Sequence, residues 1–277
     1  MKSKLIKLVF TPLALVALFF TSCSNDDFEV TTENSSNFTI ELTKQSTETD
    51  EVSTGAMNIV ELAYTEIEEA SGRNTSFFSD CVTITITNEN DITFVDLDFG
   101  LGCELNNGIT VSGIIHLTYG VPQNETRTIN YSYENFFFNE KGIAGGGTIF
   151  REHSNENGNP QSTIQKNIEV TFPSGLIAIV NGNKVREWIE GFGSGTWIDN
   201  VYLITGSWTH EFNNGFFRSA TVIEVLRREA TCHYFVSGLV EVTRNETTGV
   251  LDYGDGICDN EAILTVNGEE IVIILHH

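Results

Sequence analysis

The sequence has few prolines and few basic residues. Four prolines in 277 residues argue against a long extended stalk. Fifteen Lys and Arg residues face 38 Asp and Glu residues, which gives a formal net charge of −23. A chain with this charge repels nucleic acid and anionic lipid headgroups, so we exclude nucleic acid as a partner.

The sequence also lacks the spaced motifs of common catalytic sites. It contains no Cys-x-x-Cys, no His-Glu-x-x-His and no Gly-x-Ser-x-Gly. The run Gly145-Gly146-Gly147 lacks the Lys-Ser/Thr of a phosphate loop, and a bulge or a close contact between strands explains it better. We therefore predict no catalytic residue, and no cofactor apart from a calcium ion.

The abundant Asn, Thr, Ser and Gly, with only 19% charged residues, are typical of an extracytoplasmic β-protein. From residue 80 onward apolar and polar residues alternate in about twelve runs. Asn- and Gly-rich turns, such as residues 88–91 and 181–183, separate these runs. The pattern predicts a mainly β fold, an antiparallel β-meander closing into a sandwich or barrel-like roll, with one short N-terminal helix.

The segment before the strands divides into a polar part and a helical part. Residues 23–50 are rich in Ser, Thr, Asn and Glu, so we predict a flexible acidic tether in which residues 37–42 form a short strand. Residues 52–70 predict a helix that ends near Gly72 and packs on the edge of the sheet. Its apolar residues follow the helical period: Met57, Val60, Tyr64 and Ile67. One β-rich domain then spans residues 51–277.

Residues 1–23 have the layout of an export signal. A basic head precedes an apolar run of about thirteen residues, too short for the roughly twenty that span a bilayer. The small residues before Cys23 resemble the lipobox of bacterial lipoproteins. This resemblance implies that residues 1–22 are a signal peptide and that Cys23 becomes the lipidated N-terminus. The alternatives are an uncleaved membrane helix or cleavage at another position.

The residues after Cys23 indicate where the protein is displayed. Ser24-Asn25-Asp26-Asp27 resembles the start common in lipoproteins of Bacteroidota, in which an acidic cluster is associated with export to the cell surface. The resemblance implies an outer-membrane lipoprotein that is exposed at the cell surface, with a periplasm-facing orientation as the alternative. Its partners are then the membrane, through the N-terminal lipid, and a cell-surface protein or glycan.

Two stretches, residues 80–113 and 232–268, share one pattern. Leu97-Asp98-Phe99-Gly100 in the first matches Leu251-Asp252-Tyr253-Gly254 in the second, and a cysteine follows each match. An even number of cysteines besides Cys23 in an exported chain predicts two disulfides. The repeat favours the pairs Cys81–Cys103 and Cys232–Cys258 among three possible connectivities.

A binding module that depends on calcium or carbohydrate is the main alternative to a non-enzymatic structural, adhesive or binding domain. Asp252, Asp255 and Asp259 crowd a glycine-rich turn and offer the oxygen ligands that Ca²⁺ prefers. Solvation of this turn, with Asp side chains capping backbone amides, is the simpler interpretation. A sugar-binding face would require Trp188, Trp197 or Trp208 to be exposed on one face of the domain.

A secreted glycoside hydrolase is the third possibility. Glu187 and Glu190 flank Trp188, and a pair of carboxylates is what glycoside hydrolysis requires. The hypothesis needs both carboxylates in one concave pocket.

Overall fold

A computed structural model describes residues 39–69 and 76–275. One α-helix, α1 (Ile40–Tyr64), continues into a single π-helical turn, Thr65–Glu69. Fourteen strands follow: β1 (Thr83–Glu89), β2 (Ile92–Asp98), β3 (Cys103–Glu104), β4 (Thr110–Gly120), β5 (Thr126–Phe138), β6 (Lys141–Glu152), β7 (Gln161–Thr171), β8 (Ile177–Glu190), β9 (Val201–Phe212), β10 (Phe217–Glu229), β11 (Phe235–Arg244), β12 (Thr247–Asp255), β13 (Glu261–Val266) and β14 (Glu269–Ile274).

The strands form one antiparallel sheet in which neighbours in sequence are neighbours in space. The order runs from β1 through β2 and β4 to β14, and the short β3 pairs beside β4. The predicted mainly β meander with one N-terminal helix is therefore confirmed. The predicted closure into a sandwich or barrel-like roll is not found, because the strands form a single sheet and no ladder among the described residues joins β1 to β14.

Helix α1 lies inside the curve of this sheet. Side chains from β4 through β10 contact the helix or its π-helical turn, and β14 contacts the helix from the far end of the strand order. Buried residues occur on every side of the helix, including the whole run from Ile59 to Tyr64. The prediction of a helix on the edge of the sheet was wrong, since the sheet curves around it.

The helix begins at Ile40, within the segment predicted as a tether and a short strand. Thr39 caps it by accepting a hydrogen bond from the Leu42 amide at 3.2 Å. Thr49, a buried residue of this helix, donates a hydrogen bond from its hydroxyl to the Gln45 carbonyl at 2.7 Å. Such bonds satisfy small polar side chains inside the protein. A linker-like composition thus forms part of a buried helix, and the predicted tether was wrong for residues 40–50.

The described helix does not have the composition of a membrane span. No helix among residues 39–69 and 76–275 is long and apolar enough to cross a bilayer.

Glycine positions explain where the predicted strands and turns differ from the structure. Residues 181–183 do not form a turn but lie in the middle of β8. A Cβ added to Gly182 would collide with Trp208 on the neighbouring β9, so the glycine permits close packing there. The close strand contact predicted for residues 145–147 is confirmed, because a Cβ on Gly146 would collide with the Tyr131 carbonyl.

Both predicted disulfides are present. Cys81 bonds to Cys103 and Cys232 bonds to Cys258, with Cα–Cα distances of 5.6 and 5.8 Å. The two repeats also share a local turn. In each copy the aspartate accepts a 2.8 Å hydrogen bond from the glycine amide two residues later, Asp98 from Gly100 and Asp252 from Gly254. The repeated sequence therefore encodes a repeated local structure.

Candidate functional site

The surface between helix α1 and the sheet is unusually rich in charge. Acidic residues of the helix and its π-helical turn face basic residues on the inner side of β5, β6, β8 and β10. Five ion pairs result: Glu48–Lys141, Asp50–Arg218, Glu61–Arg186, Glu68–Arg127 and Glu69–Arg151. In a chain of net charge −23, much of the positive charge is therefore directed inward.

Asp50 lies at the centre of this surface and is almost fully buried. One carboxylate oxygen pairs with Arg218, and the other lies 3.1 Å from Nε2 of His210. Arg218 Nε donates to Nδ1 of His210 at 3.2 Å, so the imidazole proton resides on Nε2, facing Asp50. The three side chains form a closed buried triangle.

The triangle fixes the protonation of its members. Burial raises the pKa of Asp50, but the adjacent imidazole of His210 and the guanidinium of Arg218 outweigh this effect and hold the pKa of Asp50 below its usual value. Burial lowers the pKa of His210 to about 4, and Arg218 adds to this effect despite the nearby carboxylate. At neutral pH the pair is thus an aspartate and a neutral histidine.

A small, partly open cavity lies beside the triangle, between helix α1 and strands β7–β10. Its volume is about 30 Å³. Lys166, Lys184, Arg186 and Arg228 line it together with apolar side chains such as Met57. Lys166 donates to the hydroxyl of Ser53, and Lys184 lies 3.9 Å from the centre of the Trp208 ring. The cavity is therefore basic and has apolar walls.

Burial also shifts the pKa of Glu51, the neighbour of Asp50 in the chain. Its two carboxylate oxygens are buried and accept no hydrogen bond in the described protein. Burial, together with the negative charges of Glu48 and Asp50, raises the pKa of Glu51 to about 9. This side chain is therefore protonated at neutral pH.

The inner charged surface was not predicted from the sequence, although a signal was present. In β7, Lys166 lies in phase with the buried Ile164 and Ile168, and in β10 Arg218 lies in phase with the buried Ala220. Basic residues at inward-facing positions of several strands predict an acidic partner inside the fold. The acidic residues of helix α1 supply that partner.

A second and larger recess opens at the C-terminal end of the helix. It has a volume of about 270 Å³ and is lined by residues that include Tyr64, Arg127, Arg151 and His153. Arg127 and Arg151 are held there by Glu68 and Glu69 at 2.7 and 2.6 Å. Both arginines of this recess are therefore already paired with carboxylates of the protein.

The acidic turn predicted as a calcium site does not assemble one. In the described part of the chain no group of three His, Cys, Asp or Glu side chains is placed to hold a metal ion. Asp252 accepts from the Gly254 amide, and Asp259 accepts from the Glu261 amide at 3.1 Å. Asp252 and Asp255 lie in β12, where Asp252 is half-buried, and Asp259 lies in the exposed segment before β13, so the described residues do not assemble the suggested calcium site.

The tryptophans do not form a sugar-binding face. Trp188, Trp197 and Trp208 are all buried in the core. Glu187 accepts hydrogen bonds from the amides of Asn155, Asn157 and Asn159 in one loop, which lowers its pKa. Glu190 pairs with Arg227 at 3.3 Å. The structure does not assemble the carbohydrate face and gives Glu187 and Glu190 separate structural roles.

Strand β1 is the most exposed element of the sheet. All seven of its residues are exposed, including Ile84 and Ile86 at 39% and 48%. These isoleucines are opposite the buried Leu97 and Val95 of β2 and therefore lie on the same face as the core. No strand of residues 39–69 or 76–275 pairs with the other side of β1. An edge of this kind is open to pairing with another chain.

Comparisons with known proteins add no relative. No family model, curated protein sequence or solved structure matches this chain. The predicted lipidation site, Cys23, lies outside the described residues. The function is therefore inferred from the residues of this chain alone.

Proposed function

We propose that this chain is a lipoprotein held at the cell surface through Cys23, and that its β-domain is a structural or adhesive module that pairs with a second copy of itself through strand β1. The anchor rests on the signal-like residues 1–22 and the lipobox-like residues before Cys23. The pairing rests on one observation, an open edge strand whose sequence is symmetric.

The symmetry lies in residues 83–87, which read Thr-Ile-Thr-Ile-Thr in both directions. A two-fold axis at Thr85 would place Ile84 of one copy opposite Ile86 of the other on the core-facing side. Thr85 would face its own counterpart on the outer side. No residue of this stretch is charged, so the strand lacks the lysines that commonly block edge pairing.

Backbone hydrogen bonding permits this register. Asn90 and Asp91, both with positive φ, form the two-residue turn that closes on the pair Glu89–Ile92. In such a hairpin the flanking pair is hydrogen-bonded, so odd-numbered residues of β1 bond to β2. The amides and carbonyls of Ile84 and Ile86 then point outward and meet each other in the symmetric pair.

The anchor makes a weak pairing effective. A single edge strand buries far less than the area of a typical stable interface, and the acidic subunits repel each other. Confinement to a membrane raises the effective concentration of the strands without any new contact. The proposal therefore predicts pairing between copies on one membrane.

Cysteine scanning of β1 tests the pairing. In cells that display the full chain, Thr85→Cys would place two thiols opposite each other at a non-hydrogen-bonded position, with a Cα–Cα distance of about 4.5 Å. Mild oxidation should then give a dimer that resists non-reducing electrophoresis. Thr87→Cys is the matched control, because its two introduced thiols would lie about 13 Å apart along the strands. Equal cross-linking of both variants, or of neither, contradicts the pairing.

Cell fractionation tests the anchor independently. Cys23→Ser should move the protein from the membrane fraction to the soluble fraction, whereas the wild-type protein should stay with the membrane. Replacement of Asp26 and Asp27 by Ala should leave lipidation intact and reduce digestion by protease added to whole cells. Unchanged sedimentation of the Cys23→Ser variant overturns the anchor.

A further inference from the structure

The small cavity between helix α1 and β7–β10 is lined by more basic side chains than the neighbouring carboxylates can pair. Four of its lining residues are basic, and the described lining contains no carboxylate. Arg186 is paired with Glu61, which lies beside the cavity. Lys184 has no carboxylate partner and no hydrogen-bond acceptor in the described protein.

Among the described residues, three buried donors around this cavity have no hydrogen-bond acceptor within the protein. They are Nζ of Lys184, Nε of Arg186 and the hydroxyl of Thr54, all with negligible exposure. Leaving a buried polar group unsatisfied costs about 1–3 kcal/mol, and more when the group is charged. Three such groups on one cavity therefore indicate a ligand that accepts hydrogen bonds.

We propose that the cavity binds one small inorganic anion of halide size, held by Lys184, Arg186 and Thr54. The volume of about 30 Å³ exceeds the roughly 10–15 Å³ that a single water needs. A water molecule could accept these hydrogen bonds but would leave the positive charge uncompensated. The apolar walls contributed by Met57, Ile164 and Ile204 favour a compact, weakly hydrated ion over a phosphate ester or a sugar.

The protonation of the two lysines supports this assignment. Burial lowers the pKa of Lys184, and burial together with the charge of Lys184 lowers the pKa of Lys166 well below its usual value. An anion between them would oppose that shift and keep at least one ammonium charged. Without a bound anion, Asp50 is the carboxylate that raises the pKa of both lysines, and Asp50 already forms an ion pair with Arg218.

Thermal unfolding of the full chain tests the site. Sodium chloride is compared with sodium gluconate at constant ionic strength and pH, because gluconate is too large for the cavity. An anion that binds only the folded state should raise the unfolding midpoint in chloride by about 2–5 °C at saturating concentration. Bromide should reproduce the rise and, in crystals, give an anomalous peak beside Lys184.

Two variants distinguish the site from a general salt effect. Lys184→Met should abolish the difference between chloride and gluconate, whereas Lys141→Met should retain it, because Lys141 faces the helix but does not line this cavity. Thr54→Val removes one proposed ligand with almost no change of shape and should weaken the chloride effect even if Lys184→Met does not fold. Equal midpoints of the wild-type protein in chloride and gluconate, or an undiminished difference in Thr54→Val, overturn the proposal.

Discussion

His210 and His116 both lie beside carboxylates, yet their pKa values shift in opposite directions. His210 is fully buried 3.1 Å from Asp50, and burial lowers its pKa to about 4. His116 lies on the outer face of the sheet, 2.6 Å from Asp96 and 3.0 Å from Glu134. There the slight burial is outweighed by hydrogen bonds to the two carboxylates, which raise the pKa of His116.

The comparison shows that exposure to water, more than the neighbouring carboxylate, decides whether the charged form of a histidine is stabilised in this protein. On the outer face water solvates the imidazolium, so two carboxylates suffice to stabilise it. Inside the sheet a charged histidine would lose its hydration, and Asp50 could not compensate for that loss because its charge is already paired with Arg218. We expect substitutions on the inner surface to alter stability by several kcal/mol and matched substitutions outside to alter it little.

The largest effect is expected for Asp50→Asn. This change leaves Arg218 buried without its carboxylate, and loss of one partner of a buried pair costs about 3–5 kcal/mol. Urea unfolding of the full chain measures the loss. Asp96→Asn is the outer control and should cost less than about 1 kcal/mol, since Asp96 is exposed. Equal losses for the two variants would remove the distinction between the surfaces.

Glu51→Gln should have the next largest effect, and this substitution should increase the free energy of unfolding. Because the folded pKa of Glu51 is about 9 rather than 4.5, the folded state loses stability as the pH rises between these values. The cost amounts to roughly 3 kcal/mol at pH 7. The variant should therefore match the wild-type protein near pH 4.5 and exceed it increasingly toward pH 9. Glu48→Gln, which removes the partner of Lys141, should show no such gain.

The buried histidine should produce a loss of stability in acid. Since the folded pKa of His210 is about 4 and its usual value is 6.5, the unfolded chain binds the proton first as the pH falls. The free energy of unfolding should decrease by roughly 3 kcal/mol between pH 6.5 and 4. His210→Gln should reduce that slope. An NMR titration that places the pKa of His210 at or above 6.5 contradicts the prediction.

The smallest effect is expected for His116→Gln. A raised folded pKa means that His116 contributes stability below pH 6.5 and that this contribution is lost as the pH rises through the folded pKa. The variant should be less stable than the wild-type protein by no more than about 1 kcal/mol at pH 5 and nearly equal at pH 9. A larger deficit at pH 9 than at pH 5 would reverse the proposed sign.

Local patterns in the sequence predicted most of the sheet. Alternation of Val82, Ile84 and Ile86 predicted β1, and the Asn-rich residues 88–91 predicted the turn that follows it. In the structure, residues 90 and 91 of this turn have positive φ. The two matching Asp-x-Gly turns predicted the disulfide partners correctly. These features depend on neighbours within a few residues, and local sequence controls such geometry directly.

The helix and the inner charged surface depended on distant contacts and were only partly predictable. Residues 40–50 have a polar composition, and helix formation there is stabilised by burial against strands more than a hundred residues away, as in the pair of Asp50 with Arg218. Gly182 looked like a turn residue because the sequence does not show that Trp208 packs against it. In both cases the missing information is the identity of the contacting strand.

The strand alternation, most of the turns, the disulfide pairing and the strong net negative charge follow from the order of the residues alone. The fold was needed to show that the acidic helix lies inside the sheet and that Lys166, Lys184 and Arg218 point toward it. The physical reason is that side-chain alternation fixes which residues share a face, whereas the curvature of the whole sheet decides which face is buried. The same curvature leaves β1 with its isoleucines exposed at an open edge.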